Sequence, residues 1–273
     1  MKRALLLITI LTSLSAWSQT KPIWNVSVGG AFPIGKFTSF SYDPNTLATT
    51  CGFLDENVNG GAASLGFNLG IEALVSLQNP KLSFTLSADF NYNGVNSECK
   101  KYLNLSAEYI DNTLRSQVQR EGGSSINSNC VVERTPSYLN IPILAGLRYT
   151  MPINDAMDFF AECGIGANLR IITPIKLMER ISYLYGGYYY KMSIDEQFKY
   201  SMKGSLAFRL GAGVRFTEKL SLSAYYYYLG AGDVSTTIIA KDPNDNSSQP
   251  SEKSLQLGTI NPMIAVVKLS YYL

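Results

Sequence analysis

The chain has 273 residues, a formal net charge of +2 and no histidine. A charge this small, without a basic cluster, argues against a nucleic-acid partner. Without histidine, neither a zinc site nor a Ser-His hydrolase arrangement is expected. We therefore expect no metal, no cofactor and no enzymatic activity. The 22 Gly, 18 Tyr and 12 Phe fit a β-rich membrane protein better than a cytosolic enzyme.

The first residues have the pattern of an export leader. Lys2 and Arg3 are followed by an apolar run from Ala4 to Leu14 and then by Ala16-Trp17-Ser18. A positive start, a short apolar stretch and small residues before the cleavage point are typical of a secretory signal peptide. We predict a signal peptide over residues 1–18, cleavage before Gln19, and one domain over residues 19–273.

Beyond the leader, apolar and polar residues alternate in eight segments. Strict period-two alternation is typical of strands whose two faces meet different solvents. Segments of more than ten residues are long for a soluble sheet and suit a tilted crossing of a bilayer. The predicted strands are Ile23–Pro33, Ala63–Leu77, Lys81–Asn93, Ser137–Thr150, Asp158–Ile172, Ser205–Phe216, Leu220–Gly230 and Pro262–Leu273.

The connections between these segments alternate in length. Short turns follow the second, fourth and sixth strands, and the long connections are Ile34–Ala62, Gly94–Pro136, Thr173–Gly204 and Ala231–Asn261. Outer-membrane barrels have short periplasmic turns and long extracellular loops. We therefore predict an all-β fold, a transmembrane antiparallel up-and-down β-barrel of eight strands. It would lie in the lipid of the cell outer membrane, with both termini in the periplasm.

Three segments carry a resemblance to a known family. They are YLNIPILAGLRY, GIGANLRI, and GAGVRF before a Glu-Lys turn. Together with the Gln after the cleavage site, they resemble the PorT-type outer membrane β-barrel family of Bacteroidetes. The resemblance covers most of the predicted domain but not the long loops. It implies the fold and the outer-membrane location, and it brings no catalytic residues with it.

Eight charged residues fall on the inward face of the predicted strands. They are Glu72, Asp89, Arg148, Glu162, Arg170, Arg209, Arg215 and Lys268. A barrel of eight strands is only wide enough for its own side chains to fill. An unpaired buried charge is very costly, so we expect a structural ion-pair plug. The alternative is a narrow polar path or gate for small solutes or ions.

The four cysteines are Cys51, Cys99, Cys130 and Cys163. An exported chain can form disulfides. Cys99 and Cys130 bracket one loop and are the best candidate pair, while pairing of Cys51 with either one is the rival. Cys163 falls within a strand and is expected to stay a free, small apolar residue.

The third long connection is rich in tyrosine. Its hairpin signal is Gly186-Gly187, and its tyrosines are Tyr183, Tyr185, Tyr188, Tyr189 and Tyr190. Three interpretations remain open. The segment is a hairpin above the rim, an extra strand pair that makes a ten-stranded wall, or a contact surface for a glycan or a protein. The last fits a structural or surface-interaction role, as a subunit of an envelope or secretion assembly, with envelope proteins or surface glycans as partners.

Overall fold

The computed structural model describes residues 21–40, 60–241 and 251–273, with backbone only at 255–258. The predicted leader and Cys51 lie outside these ranges. The strands are β1 Ile23–Ile34, β2 Ala63–Ser76, β3 Leu82–Val95, β4 Ser124–Arg134, β5 Tyr138–Asn154, β6 Met157–Ile172, β7 Ile175–Tyr185, β8 Tyr188–Tyr200, β9 Lys203–Arg215, β10 Leu220–Tyr228, β11 Gly232–Lys241, β12 Ser251–Ile260 and β13 Met263–Tyr272.

Eight of these strands close an antiparallel barrel in the order β1-β13-β10-β9-β6-β5-β3-β2. They are the eight predicted segments, so the predicted fold class is confirmed. Alternation builds the wall, because successive side chains point to opposite faces. Outward residues such as Val28, Leu65 and Ile165 are 54%, 69% and 59% exposed, whereas inward residues such as Asn68 and Arg209 are buried. The fold is that of a transmembrane barrel, apolar outside and polar inside.

The two ends of the barrel differ. Short turns join β2 to β3, β5 to β6 and β9 to β10 at one end. The first and last strands of the barrel, β1 and β13, also meet at this end, where the amide of Leu273 donates to the carbonyl oxygen of Trp24 at 2.9 Å. The long connections leave from the opposite end, as the sequence predicts. Where the structure describes them, they hold five more strands and a long helix, of which the sequence pattern indicates only the hairpin around Gly186-Gly187.

The five additional strands form a separate sheet in the order β12-β11-β8-β7-β4, which we call the outer sheet. The hairpin of β7 and β8 continues the chain from β6 and returns it to β9. It pairs with β4 and β11, not with the barrel wall. The wall therefore has eight strands, and the ten-stranded alternative is wrong.

A helix, α1, spans Ser97–Arg120 in the second long connection. Asn96 caps it by accepting a hydrogen bond from the amide of Cys99 at 2.7 Å. Its buried residues are Cys99, Leu103, Ser106 and Ala107, which share one face at helical spacing. The helix packs mainly against β4, and its buried residues Cys99 and Leu103 also join the apolar cluster that contains Phe37 and Tyr138. Among the described residues, no helix is both long and apolar enough to cross a bilayer.

An apolar layer closes the barrel at the end of the long connections. Its fully buried members include Tyr138, Phe37, Leu229 and Ile260. The rings of Phe37 and Tyr138 meet edge to face with centroids 5.0 Å apart. The same cluster continues into the barrel, where it includes Phe160, Tyr225 and Tyr227.

Candidate functional site

The barrel interior holds a cluster of six buried charged side chains, which we call the lumen network. Arg209 lies at its centre, with its side chain 1% exposed. Its Nη2 donates to Glu72 Oε2 at 2.7 Å and also to Glu162 Oε1. Its Nη1 donates to Asp89 Oδ2 at 3.3 Å. One guanidinium thus joins three carboxylates from three different strands.

Arg148 joins two of the same carboxylates from the other side. Its Nε and Nη2 donate to Glu162 Oε2 at 3.0 and 2.7 Å. Its Nη2 also donates to Glu72 Oε1, and its Nη1 donates to the hydroxyl of Tyr272 at 2.9 Å. The arginine is thereby fixed near the short-turn end of the lumen.

Lys268 completes the set by donating to Asp89 Oδ1. The hydroxyl of Tyr227 donates to the other oxygen of Asp89 at 2.8 Å. The members of the network are Glu72, Asp89, Glu162, Arg148, Arg209 and Lys268. Three negative and three positive charges balance, which is the condition under which buried charges are tolerated.

Two of the eight predicted lumen residues lie apart from the network. Arg215 pairs with Asp158 at the short-turn mouth, with side chains 36% and 21% exposed. Arg170 lies at the opposite end and donates to the carbonyl oxygens of Gly230 and Ile260. Asp158 therefore neutralises Arg215, whereas Arg170 keeps its charge and is stabilised by two carbonyl oxygens.

Sequence reasoning missed the polar partners of the network. They are Asn25, Tyr225, Tyr227 and Tyr272, together with Asp158 at the mouth. The signal was present, because Tyr225 and Tyr227 occupy the inward positions of the predicted strand Leu220–Gly230. Both tyrosines are uncharged, so a pattern of inward charges does not reveal them, whereas Asp158 is the first residue of the predicted strand Asp158–Ile172. Both rings also lie under cations: Arg209 Cζ is 4.7 Å from the ring centroid of Tyr225.

The lumen is filled. The cavity among Glu72, Asp89, Arg209 and Lys268 measures about 10 Å³, which is room for one water at most. Gly211 leaves space for the ring of Tyr225, because a Cβ at Gly211 would strike that ring. Beyond the charges lies a layer of amides, in which Asn68 donates to Asn91 at 2.8 Å and Asn168 to Asn140 at 3.1 Å.

The barrel has a shallow open cavity at the end where the short turns lie. A cavity of about 230 Å³ is lined there by Arg148, Arg215, Phe160 and Tyr272, among others. The guanidinium of Arg148 lies 4.3 Å from the ring centroid of Phe160. The cavity stops at Arg148, where the network begins. Within the described ranges, no group of three or more His, Cys, Asp or Glu side chains could hold a metal ion.

The predicted tyrosine surface lies on the β7–β8 hairpin but is divided between two faces. Gly186 and Gly187 make the turn with φ of +58° and +84°, values that suit glycine. Tyr183 is opposite Tyr190 and Tyr185 is opposite Tyr188, so these four share one face. Tyr189 lies on the other face, opposite Leu184.

The predicted Cys99–Cys130 disulfide is wrong. Cys99 belongs to a disulfide, whereas Cys130 is a buried free thiol. Cys99 lies on α1 and Cys130 lies in the middle of β4, so the two cysteines do not stand at the ends of one loop as the sequence suggested. Cys51, the rival partner, is outside the described residues. Cys163 is free, as predicted.

The face of the outer sheet next to α1 carries acidic groups in a half-buried setting. Burial, together with Glu196, raises the pKa of Glu179, and burial raises the pKa of Glu196. The pKa of the Cys130 thiol is raised to about 12, mainly by burial and further by the negative charges of Glu179, Asp111 and Glu196. A thiol with such a pKa is a poor nucleophile at neutral pH.

No family model matches the chain, and no curated protein is significantly similar to it. Solved structures similar to the chain are membrane barrels. The attachment invasion locus protein Ail of Yersinia pestis is 12% identical, with a TM-score of 0.37, over 93% of this chain and 100% of that one. A major outer membrane protein from Thermus thermophilus is 10% identical, with a TM-score of 0.41, over 93% and 100%. OprG from Pseudomonas aeruginosa is 11% identical, with a TM-score of 0.37, over 94% and 98%. At identities this low, no function transfers from these proteins.

Proposed function

We propose that this chain is an integral outer-membrane barrel with a plugged lumen, whose role is to hold the outer sheet at the cell surface for contacts with other molecules. The observation that carries the proposal is the lumen network. Six mutually paired charges fill the barrel interior, and the remaining cavity among them is about 10 Å³. If no solute passes through the barrel, its function lies in the surfaces that it exposes, chiefly the outer sheet.

The membrane location is supported by the outer face of the barrel. Exposed apolar side chains cover it, which is unusual for a protein surrounded by water. Aromatic side chains on that face fall at two levels. Trp24, Tyr149, Phe216 and Tyr271 lie near the short-turn end, and Phe32, Phe67, Phe90 and Tyr92 lie near the other end. Two aromatic belts mark the two interfaces of a bilayer.

The loop lengths and the predicted leader support an orientation in the membrane. With the short turns in the periplasm, both ends of the barrel chain are periplasmic, and the outer sheet with α1 is extracellular. A leader over residues 1–18, cleaved before Gln19, supplies the export step. The half-buried acidic groups and the disulfide of Cys99 then lie outside the cell, where disulfides persist.

The finer assignment is to the PorT-type family of Bacteroidetes. Its support is the strand YLNIPILAGLRY, which forms β5 and supplies Arg148 to the lumen network. On this assignment the protein is a subunit of an envelope or secretion assembly. Partners would meet the outer sheet or the open mouth beside Arg215.

The narrow pore is the rival function, and one experiment separates the two. Purified protein is reconstituted in a planar bilayer, and its heat-dependent gel mobility, a sign of a closed barrel, is checked on the same sample. We expect the mobility shift, recovery of the protein with outer membrane on cell fractionation, and no steady conductance. Stable openings would overturn the plugged barrel, and recovery in the soluble periplasm would overturn the membrane location.

A further inference from the structure

One face of the outer sheet carries a cavity bordered by polar side chains. The cavity measures about 430 Å³ and lies over the middle of β4, β7 and β8. Strand pairing sets two rows of three residues across it. Asn127, Ser182 and Lys191 lie opposite one another in the first row, and Asn129, Arg180 and Ser193 in the second. Residues directly opposite in a sheet share a face, so all six line the same surface.

The charges of this groove are positive and one of them is uncompensated. Arg180 is held by a salt bridge to Asp195 at 2.7 Å. Lys191 forms no salt bridge with any described acid, and its Nζ lies 5.7 Å from the ring centroid of Tyr189. Tyr189 occupies the next row of the same face and is 59% exposed. A cation without an acidic partner among the described residues therefore borders the groove, and an exposed aromatic ring lies in the next row of the same face.

A second observation points to a ligand. Ser193 is 4% exposed, and its hydroxyl has no hydrogen-bond partner. A buried hydroxyl without a partner is unfavourable, and most such groups in proteins are satisfied. Ser193 borders the cavity, beside Arg180 and across from Asn129. An acceptor or donor in the groove would satisfy this hydroxyl.

From this arrangement we infer that the groove binds an oligosaccharide that bears negatively charged groups. Amides and hydroxyls suit sugar hydroxyls, since they both donate and accept. The exposed face of Tyr189 suits the C–H face of a sugar ring, because aromatic faces carry partial negative charge. Lys191 supplies the charge for a carboxylate or sulfate. Ile181 and Met192 also border the cavity, but they lie in the row between the two polar rows, so their side chains point to the opposite face of the sheet. A peptide interface would need apolar anchors, whereas the six paired side chains on the groove face are polar.

This binding site would give the proposed surface role a ligand class. It rests on the proposed function because the groove meets extracellular sugars only if the outer sheet lies outside the cell. The test uses the full-length protein purified in detergent, so it does not depend on membrane location. The probes are a galacturonate hexasaccharide and a sulfated hexasaccharide, each compared with its neutral form, the methyl ester or the unsulfated sugar. Binding is measured by calorimetry at low and high salt.

We expect at least one acidic probe to bind more tightly than its neutral form, with an affinity that falls as salt rises. Lys191→Gln and Ser193→Ala should each weaken binding, Lys191→Gln by about fivefold. Lys101→Gln makes the same charge change at an exposed lysine of α1 and is the matched control. This variant should bind the acidic probe as tightly as the unmodified protein. Equal binding of acidic and neutral probes, binding of neither, or an unchanged affinity in Lys191→Gln would each overturn the inference. A retained heat-dependent mobility shift in the variants shows that the barrel is intact, so failure of binding leaves the proposed barrel function standing.

Discussion

Arg148 and Glu162 lie directly opposite each other on the neighbouring strands β5 and β6. Two nitrogens of the arginine, Nε and Nη2, donate to the same carboxylate oxygen at 3.0 and 2.7 Å. The other oxygen of Glu162 accepts from Arg209. Glu162 therefore balances two arginines at once, and its side chain is fully buried. Removing its charge changes the whole network.

The first prediction concerns the stability contributed by that charge. Glu162→Gln leaves three buried cations with two carboxylates, and breaking a buried pair by removing one partner costs about 3–5 kcal/mol. The free energy of unfolding should fall by that amount. Urea unfolding in lipid vesicles measures it, with the fluorescence of Trp24 as the reporter. Trp24 is the sole tryptophan after removal of the predicted leader, which contains Trp17.

Two control variants accompany it. Asp158→Asn makes the same chemical change at the mouth, where the pair with Arg215 is partly exposed, and should cost at most about 1 kcal/mol. Ile165→Val removes one methylene from the outer face and should cost about 0.5–1.5 kcal/mol. If Glu162→Gln destabilises no more than these two, the interior is hydrated and the plug is refuted. A change in ion selectivity with intact stability would then favour the pore.

The barrel was predictable because its signal is local and repeated. In β5 the alternation is strict over Leu139 to Tyr149, and a shift by one residue would expose every polar side chain to lipid. Even Pro142 fits. Its missing N–H falls in a gap in the pairing of β3 with β5, between the pairs Ala88–Ile143 and Asn91–Asn140.

The outer sheet and α1 were not predictable in the same way. The buried face of α1 consists of Cys99, Leu103, Ser106 and Ala107, too weakly apolar to stand out in the sequence. Strand β4 pairs with β7 across about fifty residues, and no local pattern specifies such a pairing. The lumen charges were predicted as a set, but their partition was not. Alternation predicts that Arg170 and Arg215 point into the lumen. The strand register determines how far along the barrel axis each one lies, and therefore which groups it can reach.

The second prediction tests the outer face of the barrel. Trp24 lies on the outward face of β1 and is 45% exposed. In vesicles its fluorescence should be quenched by lipids brominated on the acyl chain and only weakly by aqueous iodide. Unfolded protein in urea, without lipid contact, gives the opposite pattern and is the control. Strong quenching by iodide in the folded state would contradict a membrane-embedded wall.

The third prediction concerns the cysteines. Burial and the neighbouring acids keep the Cys130 thiol protonated, with a pKa of about 12, so it should resist alkylation in the native protein near neutral pH. Denaturation without reduction should expose it. Cys99 should react only after reduction as well as denaturation, since it is disulfide-bonded. Mass spectrometry of alkylated peptides reads both. Rapid labelling of native Cys130, or labelling of Cys99 without reductant, would contradict the assignment.

The fourth prediction is that acid stabilises the outer sheet. Glu179 and Glu196 lie on the sheet face next to α1. Two further titratable groups lie nearby: the thiol of Cys130 on β4, directly opposite Glu179, and the carboxylate of Asp111 on α1. Their pKa values are raised above the ordinary 4.5, mainly by burial, so folding favours the protonated forms. A group with a raised folded-state pKa contributes stability that is complete below its unfolded-state value. That contribution is lost as the pH rises through the folded-state value.

Amide hydrogen exchange, corrected for the intrinsic effect of pH, measures this in β7 and β8. Protection should be greatest below about pH 4.5, the ordinary value of these carboxyls, and should decline as the pH rises above it, while the barrel strands remain unchanged. Glu179→Gln mimics the protonated acid, and should therefore raise protection at neutral pH and flatten the profile. Asp195→Asn, on β8 and paired with Arg180 at the surface, is the matched control and should keep the slope. If protection rises with pH, or if Glu179→Gln leaves the profile as steep as before, the half-buried acids do not control the stability of the outer sheet.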